Sequence, residues 1–216
     1  MGLDDMILTE RDYNILQLVY RFRFCLGRHI KDLLDFSGSR TADRRLKFLV
    51  EAGYLERKKY LYGIPYLYTL AHKGRILLGV NKRAEKIRVE RILHDTYVLD
   101  SLIYYQKKHN ITLGDILTEK ELHSRDGFGK RRHFPDMILL QNGKQIAVEI
   151  ELALKAKEKI RANCRDNCLV YDAQVWIIKK VPSRLFDIIK ELQKEYFNIE
   201  ILFIEDVLEY VRGFDG

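Results

Sequence analysis

The chain has 216 residues, 47% of them hydrophobic and 32% charged, the composition of an ordinary folded globular protein. Its 38 Lys and Arg outnumber its 31 Asp and Glu, and the resulting formal charge of +7 points to an anionic partner, nucleic acid first. No run approaches the roughly 18 uncharged residues that cross a bilayer, and the opening MGLDDM lacks the basic and apolar regions of a signal peptide, so a cytoplasmic protein is expected.

Residues 7 to 20 place Ile7, Leu8, Ile15, Leu16, Leu18 and Val19 in a helical pattern, with Thr9 as N-cap three residues before Asp12. A second helix is expected from Gly27 to Leu34, and Ser37-Gly38-Ser39 breaks the chain before a third, Ser39 to Ala52. That third helix turns Leu46, Leu49 and Val50 inward and leaves Arg40, Thr41, Arg44, Arg45 and Lys47 on its other side. Beyond it the period changes. Tyr54 to Tyr60 and Tyr66 to Leu70 read as two strands around a Gly63-Ile64-Pro65 turn, so that residues 1–79 make a winged helix-turn-helix.

The run RRLKFLVEAGYLERKK, from Arg44 to Lys59, resembles winged-helix regulators in its recognition helix, its Gly-Tyr-Leu break and its basic wing strand. The resemblance implies double-stranded DNA as partner, with Ser39, Arg40, Thr41, Arg44 and Arg45 in the major groove and Lys47 beside them. Arg57, Lys58 and Lys59 would hold phosphates. A solvated helix face is the plain alternative, but Asp43 alone opposes the four cations of the third helix locally.

Ala71 to Gly79 reads as a short helix and Val80 to Arg83 as a connector, after which a second domain is expected over residues 84–216. A long amphipathic helix is predicted from Ala84 to His109, with Ile87, Ile92, Leu93, Val98, Leu99, Leu102 and Ile103 on its apolar side and Glu90, His94 and Asp95 sharing a surface. Ile116 to Leu122 reads as a strand carrying Glu119 and Glu121 on one face. The loop that follows holds Arg125, Lys130, Arg131, Arg132 and His133, either a solvated loop or one that neutralises a phosphodiester approaching carboxylates.

Two β-rich runs, FPDMILL and QIAVEIEL, then flank Asn142-Gly143, the dipeptide suited to the two positive-φ positions of a type I′ turn. With those two as loop residues, Gln141 pairs with Lys144, Leu140 with Gln145 and Ile138 with Ala147, and Asp136 comes opposite Glu149. Alternation puts Glu151 on the face of Glu149 and Met137, Leu139, Ile146, Val148, Ile150 and Leu152 on an apolar face. Carboxylates crowded in this way raise one another's pKa unless a cation lies between them, and Mg²⁺ suits an Asp and a Glu on adjacent strands.

Pro135-Asp136 followed by Glu149-Ile150-Glu151 resembles the signature of the PD-(D/E)xK nuclease superfamily, with Glu151 standing where the signature has Lys. The resemblance implies Mg²⁺ or Mn²⁺ on Asp136 and Glu149, with Glu151 completing the site or orienting water. Lys155 and Lys159 would supply the missing cation, Glu90 a further metal ligand and His94 a phosphate or water contact.

Helices are expected over Leu154 to Leu169 and Pro182 to Tyr196, strands over Ala173 to Lys179 and Ile199 to Ile204, and a last helix to Val211. The resulting order, α-β-β-β-α-β-α-β, resembles in its first six elements the core of the PD-(D/E)xK, restriction-endonuclease-like fold, which implies a mixed α/β sheet flanked by helices. Cys25, Cys164 and Cys168 read as buried reduced thiols, with a zinc site at the last two the alternative. As a whole the chain resembles the replication-relaxation family and the MobC class of plasmid relaxases. That implies a mobile-element or plasmid protein that binds an origin and nicks it with a metal ion, as a homodimer on DNA. The alternative is a transcription or replication regulator whose inactive nuclease-like domain serves self-association.

Overall fold

The computed structural model describes residues 7–80, 86–126, 133–180 and 184–213. The chain divides into two compact units, Met1–Leu99 and Asp100–Gly216, and helix α5 (Ile92–His109) carries it from one to the other. It is mixed α/β, and among the described residues no helix is long and apolar enough to cross a membrane.

In the first unit, α1 (Glu10–Phe22) starts at Thr9, whose N–H and hydroxyl both donate to the Asp12 carboxylate, at 2.6 and 2.8 Å. The cap read from the sequence is therefore present as a capping box. Ile15, Leu16, Leu18 and Val19 of α1 are buried, together with Ile30 and Leu33 of α2 (Gly27–Leu33) and Leu46, Phe48 and Leu49 of α3 (Ser39–Glu51). Burial of one helical stripe from each element is what holds such short helices.

A small antiparallel sheet closes this core, in the order β1-β3-β2: β1 (Cys25–Leu26), β3 (Leu67–Leu70) and β2 (Leu55–Lys58). The two-residue β1 has too little alternation to register in the sequence. Helix α4 (His72–Leu77) lies so close to the preceding turn that a Cβ added at Gly74 would stand 2.3 Å from the Tyr54 carbonyl oxygen. The long helix expected from Ala84 is shorter. Val89–Arg91 is a 3₁₀ turn, closed by Arg91 N–H on the Arg88 carbonyl, and α5 begins at Ile92, while Ala84 lies outside the described residues.

The second unit is built on a five-stranded mixed sheet in the order β4-β5-β6-β7-β8. Strands β4 (Ile116–Thr118), β5 (Met137–Gln141) and β6 (Lys144–Glu151) are antiparallel neighbours, whereas β7 (Ala173–Ile178) and β8 (Ile199–Phe203) join in parallel. Parallel neighbours need crossovers, which α7 (Lys157–Val170) and α8 (Arg184–Leu192) supply before α9 (Ile204–Arg212) ends the described chain.

The strand expected over Ile116 to Leu122 stops at Thr118. Glu119–Asp126 forms a helix, α6, because Thr118 and Glu121 make a capping box: Thr118 N–H and hydroxyl donate to the Glu121 carboxylate at 2.8 and 2.9 Å. Glu119 and Glu121 therefore do not share a strand face. Helix α7 starts at Lys157 rather than Leu154, which leaves Lys155 in the preceding loop.

The hairpin adopts the expected register, from Gln141 with Lys144 to Met137 with Val148, and Asn142 and Gly143 have φ of +51° and +75°. Met137, Leu139, Val148 and Ile150 are buried on one face, and Val175 and Ile177 of β7 continue it. The other face is also covered. Trp176 and Ile178 pack there against Ile160 and Cys164 of α7 and Leu185, Ile188, Ile189 and Leu192 of α8. Cys25 and Cys164 are buried free thiols, and Cys168 is a half-buried one.

Candidate functional site

In the parallel ladder Glu149 pairs with Trp176 and Glu151 with Ile178, which puts both carboxylates under α7 rather than in open solvent; each residue is only 6% exposed. The acidic face is thus an interior one. Burial makes an unpaired carboxylate costly, and each of these has a partner. Glu149 Oε1 lies 2.5 Å from His133 Nε2 and accepts a hydrogen bond from the Asn167 amide at 2.8 Å, and Glu151 pairs with the Lys155 ammonium.

Asp136 stands just before β5, one position beyond the Met137–Val148 pair and so towards Glu149. Its Oδ2 accepts the Ile150 N–H at 2.8 Å, which binds the start of β5 to β6 through a side chain. The Glu149 carboxyl is held above the usual range chiefly by burial and also by the nearby Asp136 charge, against the lowering effect of His133 and Asn167. Burial acts to lower the pKa of His133, but the Glu149 carboxylate outweighs it and leaves the imidazole above its ordinary value.

A buried carboxyl raised by a neighbouring carboxylate is the chemistry a divalent cation relieves, and in that respect Asp136 and Glu149 would suit such an ion. As the chain stands, His133 occupies that balancing role. Among the described residues no group of three or more His, Cys, Asp or Glu is arranged to hold a metal ion. Glu90 is exposed in the 3₁₀ turn ahead of α5. His94 contacts Asp95 at 3.0 Å and Arg91 at 3.4 Å, a local cluster within its own helix. Lys159 is exposed on α7, and Arg131 and Arg132 lie outside the described residues.

On the first unit the predicted basic face separates into exposed residues and one structural one. Ser39, Arg40, Arg44 and Lys47 are exposed on α3 and Thr41 is half-buried. Arg45 is not presented in this way. Its Nε donates to Asp12 Oδ1 at 2.5 Å, its Nη2 pairs with Asp12 Oδ2 and reaches the Ile7 carbonyl at 3.1 Å, and its side chain is 19% exposed. It ties α3 to α1. On the ribbon, Arg57 lies 4.1 Å over the Tyr66 ring, Lys59 lies 5.8 Å from the same ring, and Lys58 pairs with Glu56 at 2.5 Å.

No protein-family model and no curated protein matches the chain. The reading therefore rests on the residues themselves. Sequence reasoning did not foresee His133 and Asn167 as partners of Glu149. The first sits in HFPD directly before the acidic strand and could have been suspected, whereas Asn167 is brought from 18 positions away by the packing of α7 and leaves no local signal.

Proposed function

We propose that the chain is a site-specific DNA-binding protein whose second unit cleaves or nicks a phosphodiester with a divalent metal ion. The first unit acts as a winged helix that selects the DNA. The observation that carries the reading is the hairpin register, which brings Asp136 next to the desolvated Glu149. Support for the DNA partner comes from the excess of basic residues and from the exposed Arg40, Arg44 and Lys47 on α3.

In this reading Asp136 and Glu149 would hold Mg²⁺ or Mn²⁺ at the carboxylate that His133 now contacts. A bound cation supplies Lewis acidity and a water of lowered pKa. Glu151 fixes Lys155 at the edge of the site, where its ammonium balances charge that builds up on the phosphate. Asn167 keeps the Glu149 carboxylate oriented.

The test is incubation of supercoiled DNA carrying the native site with Mg²⁺ or Mn²⁺, comparing the wild type with Asp136→Ala and Glu149→Ala. Nicking lost in both variants is the expected result. A second reading, a DNA-binding regulator with an inactive nuclease-like unit, is favoured by one feature: Glu149 and Glu151 are already neutralised by His133 and Lys155. No cutting by any of the three proteins, with DNA binding retained, selects it.

A further inference from the structure

The first unit has a cavity of about 600 Å³ lined by Thr9, Arg11 and Phe36 together with Thr41, Arg44 and Arg45 of the expected groove face of α3. Its charge is one-sided. The Arg45 guanidinium is spent on Asp12, whose carboxylate also takes both donors of Thr9. Among the described residues Arg11 and Arg44 have no such acid. Arg11 lies 4.8 Å over the Phe36 ring and is otherwise exposed, and Arg44 is exposed on the next turn of α3 from Thr41. Two guanidinium groups thus line one cavity together with the buried Phe36 and the half-buried Thr41.

Guanidinium groups recognise phosphate through paired charge-assisted hydrogen bonds, and a hydroxyl adds a further donor. The volume falls within the roughly 300–1,000 Å³ of small-ligand sites. It exceeds what a bare phosphate fills and leaves room for an organic body attached to one. The Asp12 carboxylate offers little to a metal cation, since both of its oxygens are taken up by Arg45 and Thr9.

We propose that this cavity is a binding site for a nucleotide-sized organic phosphate, with Arg11 and Arg44 on the phosphate and Thr41 as a hydroxyl donor. The ligand is either one nucleotide unit of a DNA strand or a free mononucleotide. Only the first source rests on the DNA-binding reading given above.

The experiment titrates the full-length chain with inorganic phosphate, with dAMP and with a short duplex of generic sequence at matched ionic strength, following thermal midpoint and binding heat. Wild type is compared with Arg11→Gln, Arg44→Gln and the double variant, with far-UV circular dichroism confirming that each is folded. The proposal expects dAMP to bind more tightly than phosphate, and the double variant to lose at least about tenfold in dAMP affinity, as two charge-assisted contacts require. Competition between duplex and dAMP assigns the site to the DNA strand, and independent binding assigns it to a free nucleotide. Binding of dAMP without any duplex binding upholds the cavity and removes the DNA reading. Absence of dAMP binding, or equal affinity in wild type and double variant, overturns the proposal.

Discussion

Arg45, on the helix whose exposed side carries the basic residues, grips the fully buried carboxylate of Asp12 on α1 with two of its nitrogens. Burial alone would raise the pKa of Asp12, but the bonds from Arg45 and Thr9 outweigh it and hold the carboxyl below its ordinary value of 3.8. Loss of one member strands the other. Arg45→Ala is expected to cost about 3–5 kcal/mol in urea unfolding, the range for breaking a buried pair. The same change at the exposed Arg40 should stay within about 0.5 kcal/mol.

The Asp12 linkage also has a sign in pH. A carboxyl with a depressed folded pKa contributes stability that is complete above its unfolded value and disappears as pH falls through the folded one. Wild type is therefore expected to lose stability on acidification below about pH 4. Asp12→Asn, measured by the same urea titrations, should start less stable at neutral pH and show a shallower fall over that window. Parallel curves for the two proteins would sink this assignment.

His133 gives a slope in the opposite direction. Its folded pKa is raised by the Glu149 carboxylate against the effect of burial, so its contribution is full below the ordinary imidazole value of 6.5 and is lost as pH rises through the folded value. A proton NMR titration of the imidazole should find a midpoint above 6.5 in the wild type. In Glu149→Gln the opposing carboxylate is gone and burial remains, so the midpoint should drop, about 1 unit or more being the usual consequence of removing one close charge. A midpoint unmoved by that substitution would mean that the two side chains do not meet in solution.

Gly74 makes a packing prediction free of charge effects. A methyl there would collide with the Tyr54 carbonyl, 2.3 Å away, and that carbonyl is itself held by the Ala71 N–H at 3.0 Å. Because backbone on both sides must shift, Gly74→Ala is expected to destabilise by about 1–3 kcal/mol in chemical unfolding. At Gly143 space is open and only the φ of +75° opposes a side chain, so Gly143→Ala should cost about 1 kcal/mol.

What the sequence disclosed and what it hid follow one physical division. Features written within a few residues were legible: the Thr9 cap and Asp12, the three helices over residues 10–51, and the hairpin whose Asn142-Gly143 turn sets the register. The Thr118-Glu119-Lys120-Glu121 region was misjudged although it carries the same kind of cap, because Ile116 and Leu117 before it suggested a strand that would continue. Contacts between distant segments were not legible at all. Arg45 looked like a surface cation because nothing near it in sequence marks Asp12, 33 positions earlier, as its partner. The covering of the hairpin's acid face had no signal in the sequence, because only the folded position of α7 buries Glu149 and supplies Asn167.

The two lysines considered as the missing cation of the acidic site now make different predictions. Lys155, in the loop after β6, pairs with the buried Glu151, while Lys159 lies exposed on the first turn of α7. A charge held against a desolvated carboxylate at the edge of the site is preorganised, whereas an exposed one is screened by water and salt. If the second unit cleaves DNA, Lys155→Ala should slow nicking of supercoiled DNA by about 10²-fold or more. Lys159→Ala should change it by less than about threefold, the scale of a screened surface charge. Glu151→Gln separates support from catalysis, since it frees Lys155 without removing its charge and should fall between the two. Equal rates for Lys155→Ala and wild type would show that the Lys155 ammonium has no part in the reaction, and that its pairing serves only to neutralise Glu151 inside the fold.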